Sequence, residues 1–192
     1  MRYRLLAFLL VSNLAYAEGA RIGVEFESER DNRTGMVNNA LTLAPGWQFA
    51  ANNFISRVEL LVEHNEDNKA DSAGVRAHEN KLFVRLRHSG DFTENIGYYI
   101  RGGLGRKFNS EGGGNYGYVE PGVKYKFGRE WEGVVAIREV NAIDGARGQH
   151  VRKFIIGPNF NFDRYNELEF RYVKGSQDKD LRAWVIEYVH KY

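Results

Sequence analysis

The stretch 120-EPGVKYKFG-128 decides how the whole chain is read. Taken in steps of two, Val119, Pro121, Val123, Tyr125 and Phe127 form an apolar series, and the intervening Glu120, Gly122, Lys124 and Lys126 are charged or small. A period of two sends alternate side chains to opposite faces of a β-strand. One face therefore suits an apolar environment, while the other carries two lysines. A soluble sandwich turns such a face to water; a membrane barrel turns it to an enclosed lumen.

The same period runs through the rest of the chain. Segments 20–29, 40–49, 55–64, 81–88, 96–108, 116–127, 131–140, 151–162, 167–174 and 181–192 all alternate, and helical periodicity is almost absent. Tilted strands that cross a bilayer need about 9–11 residues, which most of these segments supply. The connections sort by length. AANN (50–53), SGDFTEN (89–95), GRE (128–130) and DRYN (163–166) are compact. RDNRTGMVNN (30–39), NEDNKADSAGVRAHEN (65–80), NSEGGGN (109–115), NAIDGARGQH (141–150) and KGSQDKD (174–180) are longer on average and rich in Gly, Asn and Asp. An even strand count, with short turns at the periplasmic end and longer loops outside, is the pattern of outer-membrane barrels. The chain also closes on an aromatic, with Trp184, Ile186, Tyr188 and Tyr192 in one phase. The expected fold is all-β, one antiparallel transmembrane β-barrel of about ten strands, twelve being also compatible.

Residues 1–17 read as a signal peptide: Arg2 and Arg4, an apolar run from Leu5 to Val11, then Ala15-Tyr16-Ala17 before a cleavage site. The barrel then occupies 18–192, in the bacterial outer membrane and surrounded by its lipid. With Arg2 and Arg4 set aside, the 27 basic residues fall level with the 25 acidic ones, so net charge points to no nucleic-acid partner. The chain has no cysteine, which excludes disulfides, cysteine acylation and thiolate chemistry. No apolar run after the leader is long enough for a transmembrane helix, whereas the alternating strands of a barrel escape that test.

Three prolines share a pattern: APGWQF, EPGVKYKF and GPNFNF each place apolar or aromatic residues two and four positions after Pro45, Pro121 and Pro158. In the barrel they sit on the lipid face, above an inner girdle of Trp47, Phe49, Tyr125, Phe127, Phe160 and Phe162. A bulge or bend is expected at each.

A Lys or Arg on the lipid face near mid-bilayer costs about 2–4 kcal/mol, so the charged phase must face the lumen. Two walls result. Strands four to eight bring Lys81, Arg85, Arg87, Arg101, Lys107, Lys124, Lys126, Arg138 and Lys153, opposed by Glu120 and Glu132. Strands nine, ten and one to three bring Glu25, Glu27, Glu29, Glu59, Glu63, Glu167, Glu169 and Glu187, against Arg21, Arg57, Arg171 and Lys191. The basic sector offers a track for anions. Gly102, Gly103, Gly105, Gly122 and Gly157 are expected to keep its wall thin. Against an open passage stands the narrowness of a small barrel, whose side chains fill the interior at eight strands.

In its size, in VEFESERD (24–31), in the charged ladder RLRH (85–88) and in the closing NELEFRYVKGSQDKDLRAWVIEYVHKY (166–192), the chain resembles the small monomeric porins of the oligogalacturonate-specific porin family. The resemblance implies passive diffusion of acidic sugars past basic lumen residues, of which Arg85, Arg87, Arg101, Lys124, Lys126, Arg138 and Lys153 are the matching type. It also implies a monomer without cofactor or catalytic residue. Those porins usually have twelve strands, and the acidic wall here is more prominent than in that pattern. Two other functions compete. A barrel could anchor outer loops that recognise a partner, the sixteen-residue second connection being the best support. An outer-membrane hydrolase could use rim residues such as His64, Asp67, Asp71, His78, Asp144 and His150, or the pair His88-Ser89. That pair points to opposite faces of a strand and is expected to begin a turn.

Overall fold

A computed structural model describes residues 17–49, 54–70, 76–109, 112–143, 150–176 and 180–192. The segment read as a signal peptide, apart from Ala17, lies outside them. Ten strands follow in order: β1 (Ala17–Asp31), β2 (Val37–Phe49), β3 (Arg57–Ala70), β4 (Arg76–Asp91), β5 (Ile96–Asn109), β6 (Gly112–Lys126), β7 (Trp131–Ala142), β8 (Val151–Asn161), β9 (Asn166–Ser176) and β10 (Leu181–Lys191). Each pairs antiparallel with its neighbour in sequence, and β10 returns to β1, so the sheet is a closed barrel. The closing ladder is unbroken from Arg21 opposite Lys191 to Asp31 opposite Leu181.

Alternation sorts the side chains as the sequence pattern predicts. On β2, Ala40, Thr42 and Ala44 are buried, while Leu41, Leu43, Pro45 and Trp47 lie on the outer surface. Phe26, Val62, Val84, Ile100, Val123, Val135, Ile156 and Ile186 continue the outward apolar belt around the barrel. At the short-turn end, Trp131 packs on Phe160 with ring centroids 4.6 Å apart, and Tyr125 on Phe127 at 5.0 Å. Phe49 departs from the expected girdle. It is buried, beside the irregularity between Ala17 and Gly19 where the β1–β2 alternation breaks.

The prolines act differently from the expectation. Pairing of β2 with β3 skips from Leu43–Val62 to Gly46–Glu59, that of β6 with β7 from Val119–Glu139 to Gly122–Ala136, and that of β8 with β9 from Ile156–Tyr172 to Asn159–Glu169. Each proline thus opens the ladder toward the following strand, as a residue without N–H must. The register on either side is unchanged, so none of the three marks a bulge.

Strands also run further than alternation alone traces. β3 and β4 consume most of the sixteen-residue second connection, with Glu66 opposite His78 and His64 Nδ1 2.8 Å from Asn80 Oδ1. Above the apolar belt both faces meet water, so the hydrophobic period vanishes while backbone pairing continues. β4 likewise continues through His88 and Ser89 to Asp91 rather than turning there. The turns at the other end are held locally. The Asp163 carboxylate accepts from the amides of Tyr165 (2.6 Å) and Asn166 (2.8 Å) and from the Asn166 side chain, and these bonds, the side-chain one foremost, hold its carboxyl below the usual range.

Close strand approach requires glycine most sharply at Gly157. A Cβ on Gly157 would collide with the Phe170 carbonyl of β9 and come within 2.9 Å of Arg171 Cα. Gly157→Ala is expected to lower stability by about 1–3 kcal/mol, the range for overpacking. The urea midpoint of the barrel in detergent micelles measures this; an unchanged midpoint would show that β8 and β9 separate without strain.

Candidate functional site

The lumen is the site, and strand alternation builds it. Arg85, Arg87, Arg101, Lys107, Lys124, Lys126, Arg138 and Lys153 all lie in the inward phase, as do Glu25, Glu27, Glu29, Glu59, Glu63, Glu167 and Glu169. They do not form two separate walls. Ion pairs of 2.5 to 3.7 Å engage Arg85, Arg101, Lys107, Lys124, Lys126, Arg138 and Lys153 with Glu59, Glu120, Glu79, Glu132, Asp91, Glu120 and Glu29 respectively. Charges confined where little water can enter must find partners, and a narrow barrel brings opposite walls within reach.

Three levels succeed one another along the axis. Next to the longer connections lies a vestibule of about 420 Å³, lined by Glu27, Glu29, Glu63, Glu79, Lys81, Lys107 and Lys153 among others. Lys81 bonds Glu63 at 2.6 Å and Lys153 bonds Glu29 at 2.7 Å, so both signs of charge line this space. Below it the barrel is closed. Arg85 joins Glu59 on the adjacent β3 at 2.6 Å and Glu187 across the lumen on β10 at 3.2 Å. Arg171 contacts Glu187 at 2.8 Å, Glu25 at 3.5 Å and Glu169. Glu120 receives Arg138 at 2.5 Å and the Tyr99 hydroxyl at 2.9 Å. Glu59, Glu120 and Glu187 are each at most 1% exposed, which makes this waist dry.

The third level is a row of arginines. Arg57 on β3 lies directly opposite Arg87 on β4, which lies opposite Arg101 on β5. Arg87 and Arg101 flank the Tyr99 ring at 4.6 and 5.4 Å. Among the described residues neither Arg57 nor Arg87 has a carboxylate at ion-pair distance; Glu167, itself 3.2 Å from Lys191, acts on both from further away. Like charges directly opposite one another oppose sheet formation, so this row is held against its own repulsion. In the sequence Arg57 falls among the acids of strands nine, ten and one to three, which hides the row; its inward phase was the one available signal.

The glycines do not thin the wall. The space left by the absent Cβ of Gly103 is filled by the Tyr118 ring and that of Gly122 by the Tyr99 ring, whereas a Cβ on Gly105 would meet Phe83 Cβ and the Leu82 carbonyl of β4. Gly102 belongs to the outward phase. Gly103 and Gly122 admit rings into the lumen instead of leaving a passage, and Gly105 lets β4 and β5 approach.

Hydrolytic chemistry finds no assembled site in the described residues. His150, just before β8, binds Asn141 (2.7 Å) and Glu139 (3.0 Å), while His64 on β3 binds Asn80. Asp71 and Asp144 lie outside the described residues. His88 contacts the Tyr98 hydroxyl while Ser89 contacts Ser56, on opposite faces of β4. No cluster of three or more His, Asp or Glu suited to a metal occurs among the described residues.

No family model and no curated protein matches the chain. Among solved structures it is similar to the β domain of a Bordetella autotransporter, BrkA, with a TM-score of 0.60 at 9% identity, covering 91% of this chain and 98% of that one. An outer-membrane channel from Pseudomonas putida F1 gives 0.56 at 10% identity, with 92% and 98% covered. The translocator domain of the autotransporter NalP from Neisseria meningitidis gives 0.52 at 9% identity, with 100% and 95% covered. At such identity the likeness concerns the fold, and the fold is that of the outer-membrane β-barrels.

Removing one partner from the waist leaves buried charge less well compensated. Arg85→Met is expected to cost at most about 3–5 kcal/mol, because Glu59 then keeps Arg21 at 3.3 Å and Glu187 keeps Arg171 at 2.8 Å. Lys126→Gln, whose pair with Asp91 is open to water, is expected to cost less than about 1 kcal/mol. Urea unfolding of both variants in micelles tests the contrast, and equal costs would mean that water reaches the waist.

Proposed function

We propose that the chain is a low-conductance outer-membrane channel for small anionic solutes, with acidic sugars the class that suits it best. The observation that carries this reading is the row Arg57–Arg87–Arg101. Two of its guanidinium groups lack a close carboxylate, and an Arg fork matches a solute carboxylate in two-point geometry. The similar barrel from Pseudomonas putida F1 is an outer-membrane channel, which agrees with this reading.

Passage requires the waist to yield. The bridge that spans the lumen is Arg85 to Glu187, whereas Arg85 to Glu59 links neighbouring strands along one wall. Swinging Arg85 fully onto Glu59, with Arg171 still held by Glu25 and Glu169, parts the walls without leaving an unpaired cation. An arriving anion favours that step by offering Arg85 a replacement partner. The vestibule then collects solute from outside and the arginine row receives it on the periplasmic side. A second reading has the closed waist in its favour: a non-conducting barrel that presents its outer connections to a partner.

Planar-bilayer recording separates the two. The refolded barrel is expected to give small, brief, anion-selective openings, and Glu187→Gln to lengthen them at least severalfold. Arg57→Gln with Arg87→Gln, which strands no close carboxylate, is expected to abolish the anion preference. A folded barrel that stays silent, with Glu187→Gln silent too, would favour the non-conducting reading.

A further inference from the structure

The outer surface carries a second ordered arrangement, away from the lumen. Arg30 on β1 lies directly opposite Arg182 on β10, and Arg182 lies opposite Lys174 on β9. All three are in the outward phase at the end of the barrel that bears the longer connections. Two residues down the strands, Ser28, Trp184 and Tyr172 form the next row, with the two rings 5.0 Å apart. Two further down come Phe26, Ile186 and Phe170. A surface cavity of about 640 Å³ is lined by Ser28, Arg30, Asn32, Val37, Tyr172, Arg182 and Trp184.

Three cations side by side on one face repel one another. Compensation from the protein is slight: Asp180 stands 4.0 Å from Arg182 and is shared with Asn32, and neither Arg30 nor Lys174 has an ion-pair partner among the described residues. Elsewhere on the outward rim Arg152 has its own carboxylate in Glu139. The tiers follow the order of a membrane lipid: cations for phosphate, amphipathic rings for the sugar or glycerol level, and an apolar row for acyl chains. We propose that this face binds a phosphorylated outer-leaflet glycolipid of the lipid A type, its phosphate clamped by Arg30 and Arg182 with Lys174 adjacent, and its sugar against Trp184 and Tyr172. The site does not depend on whether the lumen conducts.

Native mass spectrometry of the refolded barrel, titrated with bis-phosphorylated lipid A and with the same lipid stripped of phosphate, tests the proposal. The phosphorylated form is expected to bind about tenfold more tightly, given the attraction per basic residue at a membrane surface. Arg30→Gln with Arg182→Gln is expected to erase that preference. Arg106→Gln, an outward cation outside these tiers, is expected to leave it intact, and a heat-modifiable gel band verifies folding of each variant. Equal binding of the two lipids, or an unchanged preference in the double variant, would overturn the assignment. So would inorganic phosphate binding the same residues as tightly as the lipid, which would make this a free-anion site.

Discussion

A strand in hydrocarbon must satisfy every backbone N–H and C=O from within the protein, because lipid offers neither donor nor acceptor. The continuous β1–β10 ladder meets that demand by removing both sheet edges. Closure then dictates the rest. Once the sheet is a cylinder, each alternate side chain is committed to lipid or lumen, and register alone decides which inward side chains meet. Glu59 faces Arg85, Glu63 faces Lys81, and Arg57, Arg87 and Arg101 line up because the ladder sets them opposite one another.

Confinement converts those charges from solvated groups into structural ones. The pairs at the waist carry a desolvation cost that their attraction roughly offsets, so they contribute more to which walls approach than to net stability. Arg85 and Arg171 each serve several carboxylates on different strands, an arrangement with more than one acceptable pairing. That multiplicity leaves the barrier more than one way to stay neutral when a single pair is exchanged. The arginine row in the lumen and the cation row on the rim share one physical feature: like charges held in register by the backbone.

Much of this architecture was legible in the chain. Period-two alternation located all ten strands, and the lipid cost of charge sent Lys124, Lys126 and the other basic residues at the depth of the apolar belt inward. Where the fold left the hydrocarbon the signal failed. The hairpin through Glu66 and His78 looked like a loop because neither face is apolar there, although the ladder continues. The glycines of β5 and β6 suggested an open wall because a sequence shows a missing side chain and not the ring that occupies its place. The prolines signalled a disturbed ladder correctly, but the unchanged register around each required knowing the partner strand.

The sequence by itself determined a barrel of membrane type and the direction of most strand residues, since both follow from local alternation and the cost of placing charge in lipid; Phe49, beside the irregularity in β1, is an exception. Tertiary structure alone decided whether the lumen was two opposed walls or one interlocked network. Distances across a barrel depend on strand number, tilt and register together, and none of these is encoded within a single strand. Glu187 therefore reads along β10 as one more inward acid, and only closure makes it the far end of a bridge to Arg85.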